Sequence, residues 1–556
     1  GRYDDARALG QRMARTPANR VDGLTLEGEA LVAVGQYDEA VQRWQQSIGR
    51  GQPGVARRAR ALSAVWLGRL GRAHDAQDLA QPLVDEYNDA QQEAEDHPDS
   101  PGHLNPRTLI LRDAEALTYL GMAMRVLGFF QDANQAFNEA VRADAHRAET
   151  LLESAELYLS KEDTGHAGDA LRKLFRENPH SARALVLRAR TRLSNDMDFT
   201  HALEDLDAAD RINPRIPEAF VLRAQMALRD SEITRADHLV DQALAINPRH
   251  LEALAMRGVI RFDANDMPGF RRAFDAVFAA SGSYVEAYAM VADFADWEHR
   301  YEEAAAIMRE GLLRPSVAAE PRLQGQLRAQ LGMNLLRMGD EEHGLEELRE
   351  SFRRDRFNVR VYNLLNLYEE TLSHDYAQET AGPFRIRYHN DERAIMSRYA
   401  PQLLQRAYDD MVRRYHFTPR GPISVEMFAD PQHFSVRTAG LPEIGVQGVC
   451  FGQVITAISP TGGPFNWGQI LWHELGHVFA IQMSHSRVPR WFTEGLSEWE
   501  AFHSHPEWAR EDDGSLFRAM NAGRVPHVTE FNSAFTHARS GDDMLVAYYA
   551  ASKLVE

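Results

Sequence analysis

Small and aromatic residues return at a fixed interval along the first two thirds of the chain. Gly1-x-Tyr3-x-x-Ala6 comes back as Gly35-x-Tyr37-x-x-Ala40, 34 residues later. The slot of the small residue is then filled by Ala76, Ala133, Ala167, Ala202, Ala236, Phe270, Ala304 and Gly344. The steps run 34, 36, 57, 34, 35, 34, 34, 34 and 40 residues. Pro17, Pro179, Pro214, Pro248 and Pro315 follow their Ala by 11 or 12 residues, where a second helix is expected to stop. Each interval has room for two helices that cannot bury their apolar faces alone, so the pattern predicts stacked helix pairs. The period vanishes after about residue 375. Pro383 then opens FRIRYH, where Phe384, Ile386 and Tyr388 alternate in strand fashion. Ile395, Tyr399, Leu403, Tyr408 and Val412 mark a helix over 391–415, PISVEMF (422–428) a second strand and GVCFGQVITAIS (448–459) a third. The expected class is mostly α, a repeat region over 1–375 followed by an α+β domain over 380–556.

The repeating unit resembles the tetratricopeptide repeat, in which Gly and Tyr or Phe close the first helix, a small residue lets the pair pack closely, and Pro ends the second. The resemblance covers roughly 1–365 and implies an α-solenoid of about ten repeats. The 57-residue step needs about 23 extra residues, expected as a surface insertion near 84–106 in the polar stretch VDEYNDAQQEAEDHPDSPGHLNP. The solenoid is expected to be a scaffold or to offer its concave groove to a protein partner.

Composition narrows the partners. Lys plus Arg is 62 and Asp plus Glu is 81, a net charge of −19, so a nucleic-acid or anionic-membrane surface is not expected. With 44% hydrophobic residues in 556, the chain can build packed cores. A single cysteine, Cys450, excludes an internal disulfide framework and a Cys-based zinc finger. No apolar run reaches the ~18 residues of a membrane span. The chain starts at Gly1 and stops at Glu556 within an apolar helical pattern, so both ends read as cut, and the second domain as shortened at its C-terminal end. The compartment stays open between the envelope or periplasm and the cytoplasm of a bacterium.

Candidate chemistry lies in LWHELGHVF. His473 and His477 are four residues apart, so both imidazoles leave one face of a helix about 6 Å apart along its axis and can reach one zinc ion. Glu474 stands beside such a metal and not on it, placed to take a proton from water as general base. Ile470, Leu471, Trp472, Leu475, Val478, Phe479 and Ile481 make the helix apolar nearly all round, hence buried, and two histidines and a carboxylate inside it require partners. Downstream, VPRWFTEGLSEWE (488–500) sets Phe492, Leu496 and Trp499 on one helical stripe and Glu494 and Glu498 on another. One of these carboxylates is expected to complete the metal site, an anionic ligand lowering the cost of burying a +2 centre. Glu494 is the stronger candidate, and Glu498, one turn on, suits the distal N–H of His473.

HELGH followed by WFTEG resembles the gluzincin metallopeptidases, and most closely the bacterial peptidase MA-like domains that accompany tetratricopeptide repeats. The resemblance covers roughly 380–556. It implies a zincin-like fold, Zn2+ held by His473, His477 and Glu494, and a peptide or protein substrate. It also implies a substrate-pairing strand ahead of the metal helix, whose counterpart carries Gly448 and Gly452. A late helix with Tyr three residues before Ser registers Tyr549 with Ser552 as oxyanion donor, Tyr548 being the reserve. A metzincin would need Gly at 480 and His at 483, where the chain has Ala480 and Met483. The aminopeptidase element that grips a free N-terminus is not visible, so an endopeptidase is favoured. Cys450 reads as a small buried hydrophobe and His485 as a loop residue. The alternatives are an inactive repeat scaffold with a vestigial peptidase domain, and a metal hydrolase acting on something other than peptide.

Overall fold

The structure, a computed structural model, describes residues 2–48, 53–96, 108–195, 198–442, 445–509 and 512–556. By internal packing the chain divides into two compact units, residues 1–195, 201–228 and 232–287 in one, and 196–200, 229–231 and 288–556 in the other. No helix among the described residues is long and apolar enough to cross a membrane.

The first unit is an α-solenoid. Its helices run in antiparallel pairs such as Ala114–Leu127 with Phe130–Ala143, Ala148–Ser160 with Thr164–Glu177, and Leu251–Asp263 with Met267–Ala280. The small-residue slots lie in the first turns of the second helices, and Ala40, Ala133, Ala167, Ala202 and Ala236 are fully buried. A larger side chain there would push the pair apart. The extra residues of the long step begin as helix, because Ala73–Asp96 continues straight through residues 84–96. The remainder of that stretch, 97–106, lies outside the described residues. Inside this unit charged residues from helices of different pairs tie to one another. Arg69 reaches Glu156 (2.5 Å) and Glu218 (3.6 Å), Arg125 reaches Glu153 (2.5 Å), and Arg190 reaches Glu252 (2.7 Å). Asn213 also donates to the Ala33 carbonyl at 2.8 Å, which joins segments 180 residues apart. A partner entering at these positions would have to displace ion pairs already made.

In the second unit helix pairs continue from residue 288 to Arg354, and strands begin at Tyr376. The sheet has five strands in the order β1-β2-β3-β5-β4: β1 Tyr376–Ala381, β2 Phe384–His389, β3 Ile423–Phe428, β4 Gly448–Cys450 and β5 Val454–Ile458. The β2–β3 and β3–β5 pairs are parallel, and the outer pairs β1–β2 and β4–β5 antiparallel. Sequence alternation in FRIRYH appears as alternating burial in β2. β3 and β5 are buried at every position, as parallel strands covered on both faces must be. One face packs on helices Asn390–Tyr415 and Trp467–Met483 through Phe384, Ile386, Val425 and Met427. The other shares a core with the last helix pairs, through Met333, Leu336, Leu348, Leu364 and Tyr368 against Phe428, Phe434 and Ile458. The end of the 34-residue period therefore marks a change of element type, while the packing division falls earlier, at residue 287.

Three features differ from the expected order. The strand expected over 448–459 is a hairpin, turned at Gly452 with φ +82°. β1 was hidden in the polar string YAQETA, and helix Pro431–Ala439 in the interval after the second strand. That short helix carries Arg437, whose Nε and Nη2 donate to Glu426 of β3 at 2.7 and 3.1 Å and whose Nη2 also meets the Leu336 carbonyl at 3.0 Å. Both side chains are about 2% exposed. Arg437→Met is expected to strand Glu426 and cost about 3–5 kcal/mol in urea unfolding, whereas the double variant Glu426→Leu, Arg437→Met recovers most of it. An unchanged midpoint in the single variant would show that Arg387, 3.8 Å from Glu426, suffices as its cation.

Candidate metal centre

Two crossing helices bring the candidate residues together. The first, Trp467–Met483, starts where Asn466 caps the amide of Gln469, and everything from Leu471 to Ile481 is buried. The second is Arg490–Ser504. They can cross closely because Gly476 has no side chain: a Cβ there would stand 2.9 Å from Ser497 Oγ and 3.0 Å from its Cα. Gly495 plays the same part toward the late helix Gly541–Val555, where a Cβ would lie 2.7 Å from the Ala551 carbonyl. The glycines of HELGH and TEG are thus packing requirements of the site.

At the crossing, His473 Nε2 and His477 Nε2 are 3.0 Å apart, and Glu494 Oε2 lies 3.4 Å from the first and 3.1 Å from the second. All three ligand atoms fall within 4.8 Å of one another, and all three residues are buried. Tetrahedral ligands at zinc distances of about 2.0–2.1 Å sit about 3.3 Å from each other, so the set has the right edge lengths. The remaining imidazole nitrogens are engaged: His473 Nδ1 with Glu498 Oε2 at 2.8 Å, and His477 Nδ1 with Thr493 Oγ1 at 2.9 Å. Glu498 is acceptor-only, so it takes the N–H of His473 and leaves Nε2 as a lone pair facing the common point. Burial disfavours charge on His473, but its contacts with Glu494 and Glu498 outweigh that and hold it well above the usual range. Burial likewise opposes the Glu494 carboxylate, yet His477 and His473 hold it well below the usual range. The centre is built to keep a negative ligand among groups that would take up positive charge.

Glu474 is 5% exposed and is not one of the three clustered ligand residues. Burial raises its carboxyl. Its Oε2 is buried without a hydrogen-bond partner among the described residues, which in a native interior calls for a missing partner such as water or substrate. Its Oε1 lies against Gly448 of β4, where a Cβ would come within 2.5 Å of it. Gly448 is therefore the point at which the edge of the sheet meets the carboxylate. Gly452 is not, since it forms the hairpin turn and faces Ile481.

The two tyrosines of the late helix have different surroundings. Tyr549 is 2% exposed, packs edge-on to Phe502 and donates its hydroxyl to Asp513, away from the ligands. Tyr548 has its ring centroid 6.1 Å from that of His473. Burial, and then the nearby Glu494 carboxylate, raise its hydroxyl above the ordinary tyrosine range. Adjacent helical residues point about 100° apart, so a register error of one residue selects a different face. Cys450 is a buried core residue whose Sγ accepts from the Gly452 amide at 3.2 Å. His485 is an exposed loop residue at φ +52°.

Sequence reasoning missed Thr493, although it directly precedes Glu494, and Arg490, one turn before it, whose Nε is 3.6 Å from Glu494 Oε1. It also missed Trp297 and His299 of the last helix pairs. The Arg490 guanidinium lies 4.4 Å over the Trp297 ring, and Ser486 donates to the His299 carbonyl at 2.9 Å.

No family model matches the chain, and no curated protein matches it either. Among solved structures it is similar to MamA (20% identity, TM-score 0.24, covering 29% of this chain and 94% of that one). A tetratricopeptide repeat protein from Parabacteroides merdae shows 17% identity and a TM-score of 0.27, over 55% of this chain and 99% of that one. The human IFIT1 dimer with m7Gppp-AAAA shows 14% identity and a TM-score of 0.37, over 66% and 88%. The assignment of helix-pair repeats rests on this chain's own 34-residue period and the buried anchors that realise it.

Proposed function

We propose that the chain is a zinc-dependent peptidase acting within extended peptide segments. The observation that carries the reading is the convergence of His473, His477 and Glu494 beside a buried carboxylate oxygen that has no partner, Glu474 Oε2. Two imidazoles and one carboxylate with a fourth position left open is the donor set of catalytic zinc. Bound there, zinc would supply Lewis acidity toward a scissile carbonyl and lower the pKa of a water. The chain's own residues do the rest. Glu474 takes the water proton at Oε2 and returns it to the leaving amine. Glu498 holds the His473 imidazole in the tautomer that presents Nε2, and Thr493 orients the His477 ring through its Nδ1. β4 ends the sheet, so its outer edge can pair with substrate backbone, which suits an internal stretch of peptide. Tyr548, whose ring centroid is 6.1 Å from that of His473, supplies its hydroxyl to the developing oxyanion.

The second reading, a repeat scaffold with an inactive C-terminal domain, is favoured by the share of the chain given to helix pairs, which run from Tyr3 to Arg354. One experiment separates the two. Purified protein is expected to hold one zinc per chain by elemental analysis, to lose it in His477→Ala, and to cleave a random peptide library in a chelator-sensitive way. Stoichiometric zinc without any cleavage would leave the scaffold reading standing. Absence of zinc in metal-replete protein would remove the peptidase reading.

A further inference from the structure

The metal centre has a cationic neighbour that the proposed reaction does not use. Two guanidiniums lie over one indole, Arg229 at 5.2 Å and Arg490 at 4.4 Å from the Trp297 ring centroid. Each has a buried Nε without a hydrogen-bond partner among the described residues. Burial depresses the pKa of Arg229, and Arg490 depresses it further, against the pull of Asp293 and Asp296. Asp296 is already engaged by Arg337 at 3.0 Å. Arg490 is 3.6 Å from Glu494, too far for a hydrogen bond, and that carboxylate faces the two histidines with its other oxygen. His299 lies near both Arg490 and His477; burial first, then those two neighbours, push it down to about 3, so it is neutral and adds no competing charge.

Keeping two guanidiniums close together and partly dehydrated is costly unless an anion offsets it. Asp293 and Asp296 offset part of this charge at Arg229, and Glu494 part of it at Arg490, yet neither Nε has a hydrogen-bond partner among the described residues. The planar fork of arginine is suited to carboxylate oxygens, and the cation–π contacts hold both guanidiniums beside one indole ring.

We propose that Arg229 and Arg490, aligned on Trp297 beside the metal centre, bind a carboxylate of the peptide substrate and so select for negative charge close to the scissile bond. The inference rests on the peptidase reading and narrows its substrate class. The carboxylate can belong to an Asp or Glu side chain or to the peptide's C-terminus.

The test measures binding as well as cleavage. Metal-replete Glu474→Gln protein is titrated calorimetrically with two matched peptide pairs: one Glu against Gln at a position next to the scissile bond, the other free acid against C-terminal amide. The expected result is at least about tenfold tighter binding of the anionic member in one pair, the scale of a charge-assisted hydrogen bond. That ratio should fall toward one in Arg229→Met and in Arg490→Met, each compared with its own neutral peptide so that losses of folded protein cancel. Discrimination in the first pair identifies a side-chain site, and in the second a terminal one. Equal binding within both pairs, or a ratio that survives Arg229→Met, overturns the proposal. Discrimination in binding by a wild-type protein that cleaves nothing would keep this site and sink the peptidase reading. Cleavage without discrimination would do the reverse.

Discussion

Glu474→Gln is expected to retain one zinc per chain and to lower peptide turnover by about 10² or more, the scale of a lost general base. Shape is preserved in this exchange, so the helix crossing at Gly476 and Ser497 is undisturbed. The ligand atoms of His473, His477 and Glu494 are untouched as well. What changes is the capacity of Oε2 to hold a proton. That oxygen is buried and without a partner among the described residues, so no structural contact is lost with its charge. A carboxylate serving only to fill space would give a variant as active as the parent. If the variant instead lost zinc as readily as His473→Ala, Glu474 would be a ligand, and its placement beside Gly448 would be irrelevant to chemistry. A companion change, Gly448→Ala, should damage the same step, because its Cβ would meet Glu474 Oε1 at 2.5 Å.

Much of this arrangement could be read from the chain because its signals are local. The slots at Ala40, Ala133 and Ala167 are set by close packing within one helix pair, and period alone finds them. His473 and His477 share a face because helix geometry fixes i and i+4. Glu494 and Glu498 follow by the same rule on the next helix, and their 3.4 and 2.8 Å distances to His473 are tertiary consequences of that periodicity. Other parts depend on long-range packing and leave no local trace. β1 reads as polar because it is an edge strand paired on one side with β2. The Glu426–Arg437 pair joins a strand and a helix that each look unremarkable in isolation. Trp297, His299 and Arg229 belong to repeats, where nothing in the 34-residue period distinguishes them from ordinary solenoid positions. They matter because Arg229 and Arg490 lie over Trp297 and Ser486 donates to the His299 carbonyl, contacts that only the folded chain makes.

The largest departure from the sequence reading yields the second strong expectation, that Tyr548→Phe keeps zinc and fold but lowers kcat by about 10² to 10³, as for a lost oxyanion donor. Tyr549→Phe should leave kcat near the parent value and act on stability. In the late helix Tyr549 directs its hydroxyl to Asp513 and its ring to Phe502, so removing the hydroxyl breaks a structural hydrogen bond. Tyr548 is held between Phe535, at 5.0 Å and edge-on, and His473 at 6.1 Å. Phe535 packs on the ring, and burial first, then the charges of Glu494, Glu474 and Glu498, raise the hydroxyl. A phenol kept protonated in this way can donate a hydrogen bond at neutral pH but cannot act as a base, which is the property an oxyanion donor requires. The phenylalanine variant retains the ring contacts, so a fall in kcat with unchanged KM and melting temperature would isolate the hydroxyl. A fall in Tyr549→Phe instead would mean that the late helix rotates by about 100° when substrate binds. No change in either variant would take tyrosine out of the reaction, leaving Arg490, 3.6 Å from Glu494, as the nearest cation able to meet the developing charge.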